Sequence, residues 1–201
     1  MPVEPGTVRP GGRTARVRAA VLRAAEDVLA ERGFARLDLA DVARRAEVGK
    51  TTVYRRWGSV TGLVADLLAD MAERPLPRQD TGTVLGDLRA EALLVQRTLA
   101  DPRQEALLRA VIAAAACDER TAAALRHLHD VRVAEWAPCV EQGLARGELP
   151  RGTDPHAVVR AVSAPLCYGV LTSGLVPDVP AAERAAQAAY TAAAAGVYVV
   201  E

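Results

Sequence analysis

The chain has 201 residues, 50% of them hydrophobic, with 25 Lys and Arg against 25 Asp and Glu and a formal net charge of zero. That length can bury one large or two small cores. The neutral balance gives no electrostatic case for nucleic acid, and no apolar run approaches the ~18 residues of a membrane helix, so no membrane partner is expected.

Residues Met1–Gly12 are rich in Pro and Gly and lack an apolar segment. They read as a disordered N-terminal arm, residues 1–12, rather than a signal peptide. From Arg13 to Arg32 the residues Val17, Val21, Leu22, Ala25, Val28 and Leu29 recur at helical spacing and make one apolar stripe. Gly33 is suited to the position just past a helix end. Phe34 and Leu37 are placed to plug the small core between this helix and the next two.

Asp38 can cap a helix over about Leu39–Ala46, whose inner face is Val42, Ala43 and Ala46. A turn, Glu47-Val48-Gly49, leads into a second short helix from Lys50 to about Trp57. Gly58-Ser59 breaks it, and Ser59 or Thr61 caps a fourth helix running from Thr61 to about Glu73. The Pro-rich joint Arg74–Gly82 ends a first domain, residues 13–75, and opens a second, residues 76–201.

Beyond the joint the helices expected are Val84–Leu99, Pro102–Cys117, Glu119 to about Gly147 (with a possible break near His129 or Pro138), Pro155–Gly174 and Pro180–Val200. Pro102, Pro155 and Pro180 fall in first turns, where a missing N–H does no harm. Only Val197-Tyr198-Val199-Val200 is β-like. The class is therefore all-α: an N-terminal three-helix helix-turn-helix domain followed by a helical-bundle domain.

The stretch Leu39–Trp57 carries the functional signal. With Val53 set at zero and about 100° per residue, Trp57 lies at about 40°, on the inner side, while Thr51 and Arg55 fall at about 160° and 200°. Thr52 and Tyr54 flank that outer face. Ala43 allows the close crossing of the two helices. An outward face of Thr, Tyr and Arg on a short helix suits base edges and phosphates of double-stranded DNA, and the helix N-terminus with Lys50 suits a phosphate. Charge agrees modestly: residues 1–75 carry thirteen Lys and Arg against ten Asp and Glu, leaving twelve against fifteen beyond.

The run from about Val21 to Leu68 resembles the N-terminal domain of TetR/AcrR-type transcriptional repressors. The matching pieces are Leu29-Ala30-Glu31-Arg32-Gly33-Phe34, Leu39-Ala40-Asp41-Val42-Ala43, Val48 through Trp57, then Ser59 and Leu63. A weaker similarity, from Arg146-Gly147-Glu148-Leu149 to Asp154-Pro155 and over Pro165-Leu166-Cys167-Tyr168, points to one regulatory-domain subgroup of that family. The resemblance implies a homodimer on a palindromic operator, a small-molecule effector, and base or phosphate contacts from Lys50, Thr51, Thr52 and Tyr54. Arg55 and Arg56 join them on the residue reading. Three positions depart from the family pattern: Glu47 where Gly is common, Gly49 for a capping Ser, and Val60 for a phosphate-holding Lys. Each is expected to weaken the grip on the DNA backbone.

The resemblance makes the second domain the ligand-binding and dimerisation domain, with a pocket expected around Leu107, Val111, Trp136, Cys139 and Tyr168. A dimer interface is expected from Val158, Val162 and Leu166 with Ala185, Ala188 and Ala192. Pro165, inside the penultimate helix, fits either a pocket or a shaped interface. His127 and His129 lie about 200° apart on a helix and cannot share one metal, so no metal site is expected. A metal- or redox-sensing regulator using Cys117, Cys139, Cys167 and His127 is the alternative. The cysteines are too few and scattered for a disulfide framework, which fits a cytoplasmic protein. No phosphate loop or nucleophile elbow appears, and acidic residues read as solvated helix surface. Neither catalysis nor a cofactor is expected.

Overall fold

The computed structural model describes residues 11–200. Most of the expected arm lies outside them, and its last two residues, Gly11 and Gly12, already belong to the first helix. In chain order the helices are α1 (Gly11–Arg32), α2 (Leu39–Arg45), α3 (Lys50–Trp57), α4 (Val60–Ala72), α5 (Val84–Ala100), α6 (Pro102–Cys117), α7 (Glu119–Arg146), α8 (Pro155–Ser173) and α9 (Val179–Ala194). A single 3₁₀ turn, Phe34–Arg36, joins α1 to α2.

Local chemistry sets most of these boundaries. Asp38 accepts from the N–H groups of Ala40 and Asp41, and Ser59, rather than Thr61, accepts from Gly62. Asp101, Asp118, Asp154 and Asp178 cap α6 to α9. α7 runs unbroken for 28 residues with Pro138 inside it.

The final helix stops earlier than expected. α9 ends at Ala194, and Gly196, at φ 80°, turns the chain back. The β-like tail then pairs with the turn after α7: Thr153 and Val199 form an isolated antiparallel bridge, and Asp154 N–H donates to the Tyr198 carbonyl at 2.8 Å. Extended β-branched residues satisfy their backbone against a neighbouring segment here, which the helix could not offer beyond Gly196.

Two cores form. The first gathers α1 to α4 and takes in one face of α6 through Leu107, Ala110, Val111 and Ala114. The second joins α5, the C-terminal half of α7, α8 and α9. The first core thus crosses the sequence joint, because α6 returns to lie against α1. α5 and α7 approach closely: a Cβ on Gly143 would fall 1.9 Å from the Val84 side chain. Two acids expected on the surface are buried in the second unit. Asp87 and Glu91 are 0% and 4% exposed.

Candidate nucleic-acid interface

α2 and α3 cross over a four-residue turn, Ala46–Gly49. Val42, Ala43 and Val53 are fully buried between them, and Val48 N–H closes the turn on the Ala43 carbonyl at 2.9 Å. Glu47 has φ 55°, and is the only non-glycine with positive φ among the described residues. Gly49 precedes α3 without a side-chain cap, so the first N–H groups of the helix are open to a partner.

α3 divides as its periodicity requires. Val53 and Trp57 are buried. Lys50, Thr51, Tyr54, Arg55 and Arg56 are exposed, and Thr52 is half-buried. Tyr54 is 47% exposed, a high value for a large aromatic with no internal partner. The Arg56 guanidinium lies 5.2 Å from the Trp57 ring centroid, which braces it at the helix end. Val60 is half-buried against the first core, leaving no cation at the start of α4.

Trp57 is held by polar contacts that sequence reasoning missed. Its indole N–H donates to Asp66 on α4, which also receives Arg18 from α1; Arg18 reaches Asp70 at 2.6 Å as well. Burial pushes the Asp66 carboxyl up, but hydrogen bonds from Arg18 and Trp57 outweigh it and hold it below the ordinary carboxylate range. The signal was present as two acids, four apart, inside an otherwise apolar helix. Gly62 fixes the spacing of α3 and α4, since a Cβ there would meet the Trp57 carbonyl at 2.4 Å.

α4 lies along α7 in the most extensive helix pairing of the chain. The Thr121 hydroxyl is 3.2 Å from the Thr61 carbonyl and 2.8 Å from its other partner, Asp118. Arg132 donates to the carbonyls of Met71 and Arg74 at the α4 C-terminus. A positive guanidinium there satisfies orphan carbonyls and suits the helix dipole. An open cleft of about 410 Å³ lies beside this contact, lined by Arg56, Trp57, Asp66 and Arg120 among others.

The residues expected to form an effector pocket are not brought together. Leu107 and Val111 pack in the first core, Trp136 and Cys139 in the second, and Tyr168 is 69% exposed. The expected dimer stripe divides between the protomer's own core and its surface. Val158, Val162 and Leu166 are buried in the protomer's own core with Ala185, because α8 turns that face to α5 and α9. Ala188 is exposed and Ala192 half-buried. At and beyond the end of α8, Tyr168, Leu171, Leu175, Val176 and Val179 are left outside; Leu76 and the tail residues Val197, Val199 and Val200 are exposed as well.

Nothing specific favours the metal- or redox-sensing alternative. His127 and His129 are exposed, and no group of three or more metal-binding side chains converges among the described residues. All three cysteines are free; burial, with nearby Glu91 and Asp87, pushes the Cys139 thiol up to about 12, far from a reactive thiolate.

An all-α chain that buries one side of a short helix and presents a polar, basic face on the other is a helix-turn-helix DNA-binding protein. Comparison with known proteins agrees. Residues 21–67 match the family of bacterial regulatory proteins of tetR type, and residues 78–189 match the tetracyclin repressor-like C-terminal domain. The HTH-type transcriptional regulator YdeS of Bacillus subtilis (strain 168) is 30% identical over 156 residues, 77% of this chain and 78% of that one. AqdR of Rhodococcus erythropolis, also an HTH-type transcriptional regulator, is 33% identical over 147 residues, 73% and 70% of the two chains. The crystal structure of the TetR family regulator SCO0332 superposes with a TM-score of 0.68 at 26% identity, covering 88% of this chain and 97% of that one. The chain belongs to the TetR family of transcriptional regulators.

Proposed function

We propose that the protein is a cytoplasmic, effector-responsive repressor that binds a palindromic operator as a homodimer. The observation that carries this reading is the exposure of Lys50, Thr51, Tyr54, Arg55 and Arg56 on a helix whose other face is locked by Val53 and Trp57. Such a helix presents donors and a cationic edge to a major groove while its orientation stays fixed.

A palindrome needs two readers, about one helical turn apart. The exposed apolar group at the end of α8, Tyr168, Leu171, Leu175 and Val176, is a surface that pairing of two copies would cover. It replaces the buried stripe as the proposed interface. A small, largely apolar effector entering the C-terminal domain alters the spacing of the two reading helices. The path runs from α7 into α4 through Thr121 and Arg132, and from α4 into α3 through Asp66 and Trp57. A preference of about 1–3 kcal/mol for one spacing suffices for control.

Selecting retained sequences from a random DNA pool tests the reading. The expected product is an inverted repeat with half-sites about one helical turn apart. Recovery of no common sequence, or of a single unrepeated site, would overturn it.

A further inference from the structure

Among the described residues, three side-chain oxygens of the C-terminal domain are buried without a hydrogen-bond partner. Asp87 and Glu91 stand one turn apart on α5, both buried. Asp87 is half explained: its Oδ1 accepts from the Thr81 N–H at 2.7 Å and the Thr81 hydroxyl at 2.8 Å, tying down the loop before α5. Its Oδ2 is buried without a partner, and so are Oε2 of Glu91 and Oε1 of Gln142 on α7. No hydrogen bond or cation offsets the burial of Glu91, which alone pushes its carboxyl up to about 8.

Asp87 and Glu91 both look across to α7. The close contact of Val84 with Gly143 sets α5 against α7, and Cys139, one turn further back along α7, lies within the electrostatic reach of both Glu91 and Asp87. Gln142 lies between Cys139 and Gly143 in sequence. Trp136, Cys139, Val140, Leu88 and Ala92 belong to the same core and make its remaining surface apolar.

An unpartnered buried carboxylate is among the most costly arrangements in a protein core, and removing a carboxylate from water is tolerated best where a cation completes it. Asp87 Oδ2 and Gln142 Oε1 are acceptors, and Glu91, which keeps its proton while no cation lies beside it, becomes one when a neighbouring cation lets it ionise. What completes them must bring N–H donors and positive charge, and the surrounding side chains call for an apolar body.

We propose that the effector binds between α5 and α7 and is an organic cation, an N–H-bearing amine or amidine on an apolar skeleton, with its charged nitrogen on Glu91 and further donors to Gln142 and Asp87. This rests on the effector-responsive reading above and refines it. Trp136 supplies an aromatic wall suited to such a cation.

The test uses the full chain and three probes sharing one skeleton: naphthalene carrying a butylamine, the matching alcohol, and the matching carboxylate. Affinities are read by ligand-observed NMR, and operator retention is measured on the same preparation. The amine is expected to bind roughly tenfold or more tighter than the alcohol, with the carboxylate weakest. Glu91→Gln should abolish the preference for the amine while keeping affinity for the alcohol and for DNA. Glu91→Met, of similar volume and without charge, should do the same and serves if the first variant folds poorly. Equal binding of amine and alcohol, no binding of the amine, or an unchanged amine preference in both variants would overturn the inference. If the wild-type protein retains no specific DNA, the regulator reading fails separately, and the amine preference still decides the site.

Discussion

The indole N–H of Trp57 donates to Asp66 Oδ2 at 2.9 Å, and the guanidinium of Arg18 closes on the same carboxylate at 2.8 Å. Three helices meet at one acid, so the reading helix is oriented by a polar contact as well as by packing. Asp66→Ala leaves the indole and the guanidinium without their acceptor. The expected loss is about 1–3 kcal/mol of stability, nearer the low end because the pair is partly exposed. Operator affinity should fall as well, although no DNA-facing residue has changed. Urea denaturation and operator titration read the two effects; wild-type values for both would exclude a positioning role.

Acid and base act with opposite sign on two carboxyls, the half-buried Asp66 and the buried Glu91. Asp66 is held below its ordinary value, so its contribution is complete above about pH 4 and is lost as pH falls through its lower folded value. Glu91 is held above its ordinary 4.5, at about 8. Between those values the folded state binds the extra proton, so stability declines as pH rises through that window. Cys139, pushed up to about 12, stays neutral there. Glu91→Gln should flatten the decline and gain up to a few kcal/mol, about, over the wild type at pH 8 relative to pH 5. Thermal melts across pH 5–8 check it; parallel curves for the two proteins would show that Glu91 does not titrate in this range.

At the turn, Glu47 adopts a left-handed backbone at φ 55°. Glu47→Gly should relieve about 1 kcal/mol and remove a negative charge beside the reading helix. Gly49→Ser has room, since the nearest atom to its Cβ is Thr52 Oγ1 at 3.9 Å, and it would restore a cap to α3. With Val60→Lys the triple variant should bind operator more tightly and with a steeper salt dependence, because each recovered phosphate contact adds to the slope. A wild-type slope already near that of six or more contacts would contradict the weakened grip.

Thr121→Val and Arg132→Ala sever the hydrogen bonds from α7 to α4 without touching the DNA face. Operator binding without effector should be kept within about threefold, while the change in affinity produced by effector shrinks by about 1 kcal/mol or more. Gel-shift titrations with and without ligand measure both. An undiminished response would move the path of communication elsewhere.

Much of the reading domain was legible because its determinants are local. Asp38 caps within three residues, and the three- and four-residue spacing that buries Val53 and Trp57 leaves Tyr54 and Arg55 outside by geometry. The same periodicity marked Val158, Val162 and Leu166 as one stripe but could not say what covers it, and the protomer's own α5 and α9 do. Leu107 and Val111 went to the first core for a similar reason: a helix face does not announce its partner. Glu91 was hidden because an acid in an amphipathic helix is ordinarily solvated. The end of α9 was signalled by Gly196 and the β-like tail, against an Ala-rich run that favours helix.

The backbone contact at Gly62 leaves no space between α3 and α4 for even a methyl group. The two helices therefore swing as a single arm. α4 has 13 residues, a shaft of roughly 20 Å at 1.5 Å per residue. Tilting such a shaft by about 10° about the C-terminal end that Arg132 holds would carry its α3 end through roughly 3 Å, close to the rise of one base pair. Under the proposed repressor reading, a displacement of that size takes a reading helix out of register with its half-site, so the absence of one carbon atom at position 62 would gear a small shift in the C-terminal domain to the rise of one base pair.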